Sequence, residues 1–155
     1  MLSAGYNNNL QIVQGAGYVA ILHEMNHSVR IIPTDGRPHA PQSVRQWRGD
    51  ARGHWDGDTL VVDVTNFSDR NPFRGSSDKL HVIERFTRVD ADTILYRFTV
   101  EDPATWDKPW TAEVPWTKVS GPIYEFACHE GNYALANTLR GARAEEEQAA
   151  KKAPR

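Results

Sequence analysis

Residues 53–67 read G-H-W-D-G-D-T-L-V-V-D-V-T-N-F, and the fold turns on them. Asp56-Gly57-Asp58 is a turn, and its glycine can take positive φ without steric cost. Thr59 to Thr65 follows as the strongest strand signal in the chain. β-Branched residues dominate it, and they fit a pleated, half-buried surface. Alternation puts Leu60, Val62 and Val64 on one face and Thr59, Val61, Asp63 and Thr65 on the other. Trp55, just before the turn, is placed to close the end of a core.

Downstream, Leu80–Val89 and Thr93–Glu101 read as a hairpin about Asp90-Ala91-Asp92. Asp102-Pro103 ends the second of these strands, since proline cannot donate to a ladder. Trp110–Trp116 and Ile123–Cys128 are the last strands expected. Gly131–Glu147 is helical by composition, with Tyr133, Leu135, Ala136, Leu139 and Ala142 as its apolar set. Upstream, Met1–Asn9 is an irregular entry that reads like the middle of a longer protein. Leu10–Val13, Tyr18–Met25 and Ser28–Ile32 are strands, the first two joined at Gly15-Ala16-Gly17. Pro33 to Pro38 breaks the sheet. Residues 38–50 read as a loop with one helical turn near Ser43–Trp47, and Ser68–Lys79 as a long loop that could border a pocket.

A series of short strands with one terminal helix predicts a mainly β fold. The expected form is an antiparallel meander closing into a lipocalin-like β-barrel, with a C-terminal helix; a two-sheet sandwich is the alternative. Residues 1–147 would form this single domain and 148–155 a charged tail.

The totals narrow the function. A chain of 155 residues can bury a real core. Its net charge of -2 offers no basic field for nucleic acid. No apolar run is long enough to span a bilayer, and no signal peptide is evident, so the chain as written reads as cytoplasmic with no membrane partner. Cys128 is the one cysteine, so an internal disulfide is excluded, and a buried structural thiol is expected. Five Trp, five Tyr and five Phe are enough to fill a core or line a pocket for a ring-shaped ligand.

The segments Y-N-N-N-L-Q-I-V-Q (6–14), I-I-P-T-D-G-R-P (31–38), G-H-W-D-G-D-T-L-V-V-D (53–63), L-H-V-I-E-R-F-T-R-V-D (80–90), T-V-E-D-P-A-T-W (99–106) and Y-E-F-A-C-H-E-G-N-Y (124–133) together resemble a family of uncharacterised proteins from soil bacteria. The resemblance covers nearly the whole chain. It implies that longer relatives carry an N-terminal extension and often an export signal. That family has no settled activity, so the resemblance adds little chemistry.

The chemistry must come from the residues. Leu80, Val82, Glu84 and Phe86 share a face, so Glu84 sits among apolar neighbours. A carboxylate so placed has a raised pKa and suits acid–base work, unless an arginine such as Arg30 or Arg97 pairs with it. Ile94, Tyr96, Phe98, Val100 and Asp102 share a face, so Tyr96 and Asp102 bracket an aromatic wall; the plainer reading is a core tyrosine and an Asp that caps the Asp-Pro turn. Tyr18, Ala20, Leu22 and Glu24 oppose Val19, Ile21 and His23, and only one of Glu24 and His23 can face a cavity. Ile123, Glu125, Ala127 and His129 align on the last strand.

Glu84, His129, Glu24 and Asp102 are therefore the candidate catalytic groups. Arg30, Tyr96, Phe98, Trp110 and Glu125 are the candidate ligand-binding groups. No motif specifies a cofactor. A divalent metal on these oxygen and nitrogen ligands is the minority reading, because no local metal motif exists. A G-x-S-x-G elbow, a P-loop and G-x-G-x-x-G are all absent. Two functions remain. One is an enzyme, a hydrolase of esters or lactones or a lyase, using Glu, Asp and His as acid and base and Arg30 or Tyr96 at an oxyanion. The other is a non-catalytic lipocalin-like protein that binds a small apolar ligand.

Overall fold

The computed structural model describes residues 6–70 and 72–152. Residues 1–5 of the expected irregular entry, Asn71 of the expected loop and residues 153–155 of the expected tail lie outside them. Eight strands run among the described residues: β1 (Leu10–Gly15), β2 (Tyr18–His23), β3 (Ser28–Pro33), β4 (Asp50–Asp56), β5 (Thr59–Thr65), β6 (His81–Arg88), β7 (Thr93–Glu101) and β8 (Trp110–Thr117). A 3-10 turn at Met25–His27 joins β2 to β3, and one α-helix, α1 (Ala134–Lys152), follows the strands.

The strands form two antiparallel meanders, one of three strands in the order β1-β2-β3 and one of five in the order β4-β5-β6-β7-β8. The protein is thus mainly β with a C-terminal helix. Among the described residues no ladder joins β3 to β4 or β8 to β1, so the continuous barrel wall expected from the spacing is divided into two sheets. The loop from Thr34 to Gly49 lies between them in sequence. Pro38 and Pro41 within it lack the N–H that a ladder requires. The expected helical turn at Ser43–Trp47 is absent. An isolated parallel bridge between Gln46 and Phe67 takes its place.

The register builds the inner face in rows. Gly53, Val62, Glu84, Phe98 and Ala112 pair in succession across β4 to β8. Trp55, Leu60, Phe86, Tyr96 and Val114 form the next row. Leu60, Val62 and Val64 are buried as alternation requires, and so are Phe86, Tyr96, Phe98 and Val100. From the smaller sheet Val19, Ile21 and Ile32 join this core. Gly53 marks the crossing of β3 over β4: a Cβ there would lie 2.9 Å from Ile32 Cγ2 and 3.1 Å from Thr34 Cγ2. A side chain would push the two sheets apart.

Trp55 does not close a core. It stands at the end of β4, 49% exposed, because the row it heads opens to solvent at that end. Ile123–Cys128 is not a strand. The outer strand available to pair with it is β8, whose ladder carries Pro115, and a proline there lacks a donor.

The chain divides into two compact units, Met1–Tyr124 and Glu125–Arg155. In the second, Asn132 Oδ1 accepts from Ala134 N at 3.1 Å and caps α1. The helix begins three residues later than its composition predicts. It runs past 147 to Lys152, so residues 148–152 of the expected tail continue the helix.

Candidate ligand-binding site

The inner faces of the strand unit enclose an open cavity of about 1830 Å³. Phe73, Phe86, Phe98 and Trp116 line one side of it, and Tyr96, Trp110 and Trp106 pack against them. Tyr96 stacks on Phe86 at 4.9 Å, on Phe98 at 5.4 Å and on Trp116 at 4.5 Å between ring centroids. Phe98 meets Trp110 edge-on at 5.7 Å, and Trp110 in turn meets Trp106 at 5.8 Å and Phe73 at 6.2 Å. Seven rings thus touch in one continuous array. Such contacts favour offset and edge-on geometry and hold each ring in place.

One carboxylate interrupts this apolar surface. Glu84 is buried between Val62 and Phe98 in its row. Arg30 of β3 reaches across and bonds Glu84 Oε2 through Nη2. Tyr96 donates its hydroxyl to Glu84 Oε1 at 2.7 Å. Burial alone would raise the Glu84 pKa, but the charge and hydrogen bond of Arg30 outweigh it and hold the carboxyl below its usual range. Burial and the Glu84 charge push the Tyr96 hydroxyl up, so it stays protonated and donates.

Two further groups line the same cavity. Arg48 enters it from the turn before β4. That turn is tightly held: Gln46 N donates to Asn66 O at 2.9 Å, and Ser68 N donates to Gln46 O at 2.9 Å. Gly49 adopts φ +71°, and a Cβ there would sit 2.7 Å from Thr65 O. Burial and the nearby Arg30 charge both lower the Arg48 pKa. His23, at the end of β2, shares the inner face with Val19 and Ile21. Burial first, then the charges of Arg48 and Arg30, lowers its pKa to about 4, so it is neutral at pH 7.

The other expected site residues are engaged elsewhere. Glu24 lies beyond β2, where it accepts from Asn9 N at 3.2 Å, Asn9 Nδ2 at 2.9 Å and Asn7 Nδ2 at 3.3 Å. It holds the entry segment against the sheet. Asp102 accepts from Ser77 Oγ at 2.9 Å, Thr105 Oγ1 at 3.0 Å and Ala104 N at 3.1 Å. It caps the turn after β7, as the plainer reading has it. Phe98 lines the cavity, and Trp110 packs against it in the ring array. Glu125 and His129 lie in the second unit and are exposed, with no strand to give them a face. Cys128 is exposed as well, against the expectation of a buried thiol; outside a strand it has no inward register. Arg97, the other partner considered for Glu84, pairs with Glu113 on the opposite face of the sheet.

Alternation alone does not reveal Arg48, a single cation in an irregular loop. Nor does it reveal a polar chain on the outer face. There His39 Nδ1 lies 2.9 Å from Asp50 Oδ2, and its Nε2 lies 3.1 Å from Asp63 Oδ1. His81 Nε2 lies 3.1 Å from Asp63 Oδ2, and its Nδ1 lies 3.3 Å from Glu101 Oε2. Asp50 also accepts from Ala40 N at 2.9 Å, and Arg52 Nε donates to Pro38 O at 2.8 Å. These bonds fasten the long loop to β4 and β5. The sequence signal was Asp63, the one charged residue on the outer face of the strongest strand.

Among the described residues, no three His, Cys, Asp or Glu side chains converge to hold a metal ion, and no helix is long and apolar enough to cross a membrane. No family model, curated protein or solved structure matches this chain.

Proposed function

We propose that the strand unit works as a lipocalin-like cup that binds a small apolar molecule carrying a ring, without transforming it. The observation that carries this reading is the aromatic array along one side of a cavity large enough for such a ligand. Rings locked by their neighbours lose little freedom when a ligand stacks on them, so the contact area is not offset by ordering. Pockets of this kind are mostly apolar with a few placed polar groups. The competing reading is a hydrolase of esters or lactones, or a lyase. Glu84 and His23 on the cavity wall favour it. Against it, both Glu84 oxygens are taken by Arg30 and Tyr96, and a general base must be free to reach a substrate proton or a water.

Titration with the neutral fluorescent probe N-phenyl-1-naphthylamine tests the proposal. Saturable binding at one site is expected, with quenching of tryptophan emission by energy transfer. Trp116→Leu and Phe73→Leu, both at rings that line the cavity, should each weaken binding by about 3- to 10-fold, the worth of one aromatic contact. Absence of saturable binding overturns the cup. Turnover of a p-nitrophenyl ester or lactone panel that is abolished in Glu84→Gln would instead establish the enzyme.

A further inference from the structure

We propose that the polar end of the cavity is an anion site, and that the ligand is an apolar, ring-bearing carboxylic acid whose carboxylate sits between the Arg48 and Arg30 guanidiniums. This inference rests on the binding reading above and adds the charge of the ligand.

Two buried N–H groups carry it. Arg30 Nε and Arg48 Nη1 are both shielded from solvent, and neither has a hydrogen-bond acceptor among the described residues. A buried donor left unmade costs its full desolvation, so native proteins satisfy nearly all of them with protein, water or ligand. Both residues line the same cavity, and they lie close enough for the Arg30 charge to act on Arg48.

The charges do not balance. Arg30 and Arg48 bring two positive charges, Glu84 brings one negative charge, and His23 is neutral, so one positive charge is left over among these groups. Arg30 bonds Glu84 Oε2 and the Tyr96 hydroxyl bonds Oε1, while Arg48 Nη1 has no acceptor among the described residues. A guanidinium N–H shielded from water without an acceptor is expensive. A surface arginine would avoid the cost by extending its head into water. Arg48 is half-buried, yet its Nη1 is shielded from solvent, and the Gln46–Phe67 bridge and the tight turn at Gly49 fix its backbone against β5. Its shielded N–H thus points to an acceptor that a bound anion would supply.

The surplus and the geometry select a carboxylate. A single excess charge matches a monoanion. A planar fork of N–H donors matches the two oxygens of a carboxylate. The rest of the ligand must then lie against the aromatic wall, which calls for an apolar body.

A matched pair of probes tests this: 1-pyrenebutyric acid and 1-pyrenebutanol share the ring and chain and differ in the charged head. Wild-type protein should bind the acid at least tenfold more tightly than the alcohol at pH 7.5. In Arg48→Met the two affinities should fall within about threefold of each other, a charge-assisted hydrogen bond being worth roughly tenfold or more. Circular dichroism checks that the variant keeps the wild-type fold. If it does not, the wild-type ratio decides alone. An alcohol that binds as well as the acid in wild-type protein overturns the anion site and leaves the cup standing, as does an acid preference that survives in folded Arg48→Met. Failure of both probes to bind wild-type protein overturns the cup, and the anion site with it.

Discussion

Arg30 and Glu84 join the two sheets through a buried ion pair: β3 of the smaller sheet supplies the guanidinium and β6 of the larger sheet supplies the carboxylate. Its worth lies less in its own attraction than in what happens if one member is lost. Desolvating two charges costs about as much as their contact returns, whereas a lone buried charge is uncompensated. Glu84→Gln keeps the shape and removes the charge, leaving Arg30 beside Arg48 with nothing opposite. We expect a loss of about 3–5 kcal/mol in urea unfolding. A variant as stable as wild type would mean that Glu84 carries no structural charge.

Arg48→Met should behave in the opposite way. It removes a buried donor that has no acceptor and relieves the repulsion with Arg30. Without ligand, the variant should match wild type or gain about 1 kcal/mol. A loss beyond about 1 kcal/mol would mean that the guanidinium is satisfied in the unliganded protein. A residue that weakens the fold it belongs to is a mark of function.

Gly53→Ala tests the crossing of the sheets. The added methyl meets Ile32 Cγ2 at 2.9 Å and Leu60 Cδ1 at 3.4 Å, and Ile32 is fully buried. Overpacking of this kind costs about 1–3 kcal/mol. Thermal unfolding reads it directly. An unchanged midpoint would show that β3 can move away from β4 at no cost.

Acid should weaken the fold in two stages. His23 has a folded pKa of about 4, below its ordinary 6.5. The unfolded chain therefore binds its proton first, and stability falls as pH drops from 6.5 to 4. Among the described residues, Arg48, Arg30 and Glu84 are the charged groups that act on His23. Glu84 is also depressed in the fold; its contribution is complete above its unfolded value of 4.5 and is lost as pH falls further. His23→Gln should remove the first stage and leave the second. Urea midpoints measured at intervals from pH 7.5 to pH 4 would reveal whether the first stage is present.

Val62→Ala gauges the core row that also holds Glu84. Val62 is fully buried, and deletion of its methyls should cost about 1–3 kcal/mol. A change below about 0.3 kcal/mol, within surface scatter, would contradict that burial.

Period-two alternation carried most of the fold. It placed Leu60, Val62, Val64, Glu84, Tyr96 and Phe98 on buried positions, because they share the dry face of the sheet; on β5, Thr59 and Val61 of the other face are buried as well. It failed where tertiary context outweighs local preference. The segment from Asp50 to Asp56 has no β-branched residue, yet it is β4, because β5 offers it a ladder and Gly53 admits β3 alongside. Ile123 to Cys128 has the right composition and no ladder to join. Of the site, the carboxylate was legible and Arg30 was one of its two named partners, although 54 residues separate the pair. Arg48 was not legible. Its position depends on a turn fixed by contacts with residues 65–68, and a loop has no period to read.

Pro115 has a consequence for life at high concentration. β8 is the outer strand of the larger sheet, and Trp110, Thr111, Val114 and Trp116 would make its border attractive to a second chain. The proline deletes one amide donor from that border. Glu113, paired with Arg97, adds a charge that an approaching backbone must desolvate. An incoming strand would meet a gap in its ladder and, two residues away, an exposed charge held in an ion pair, so self-templated sheet growth is checked along this border.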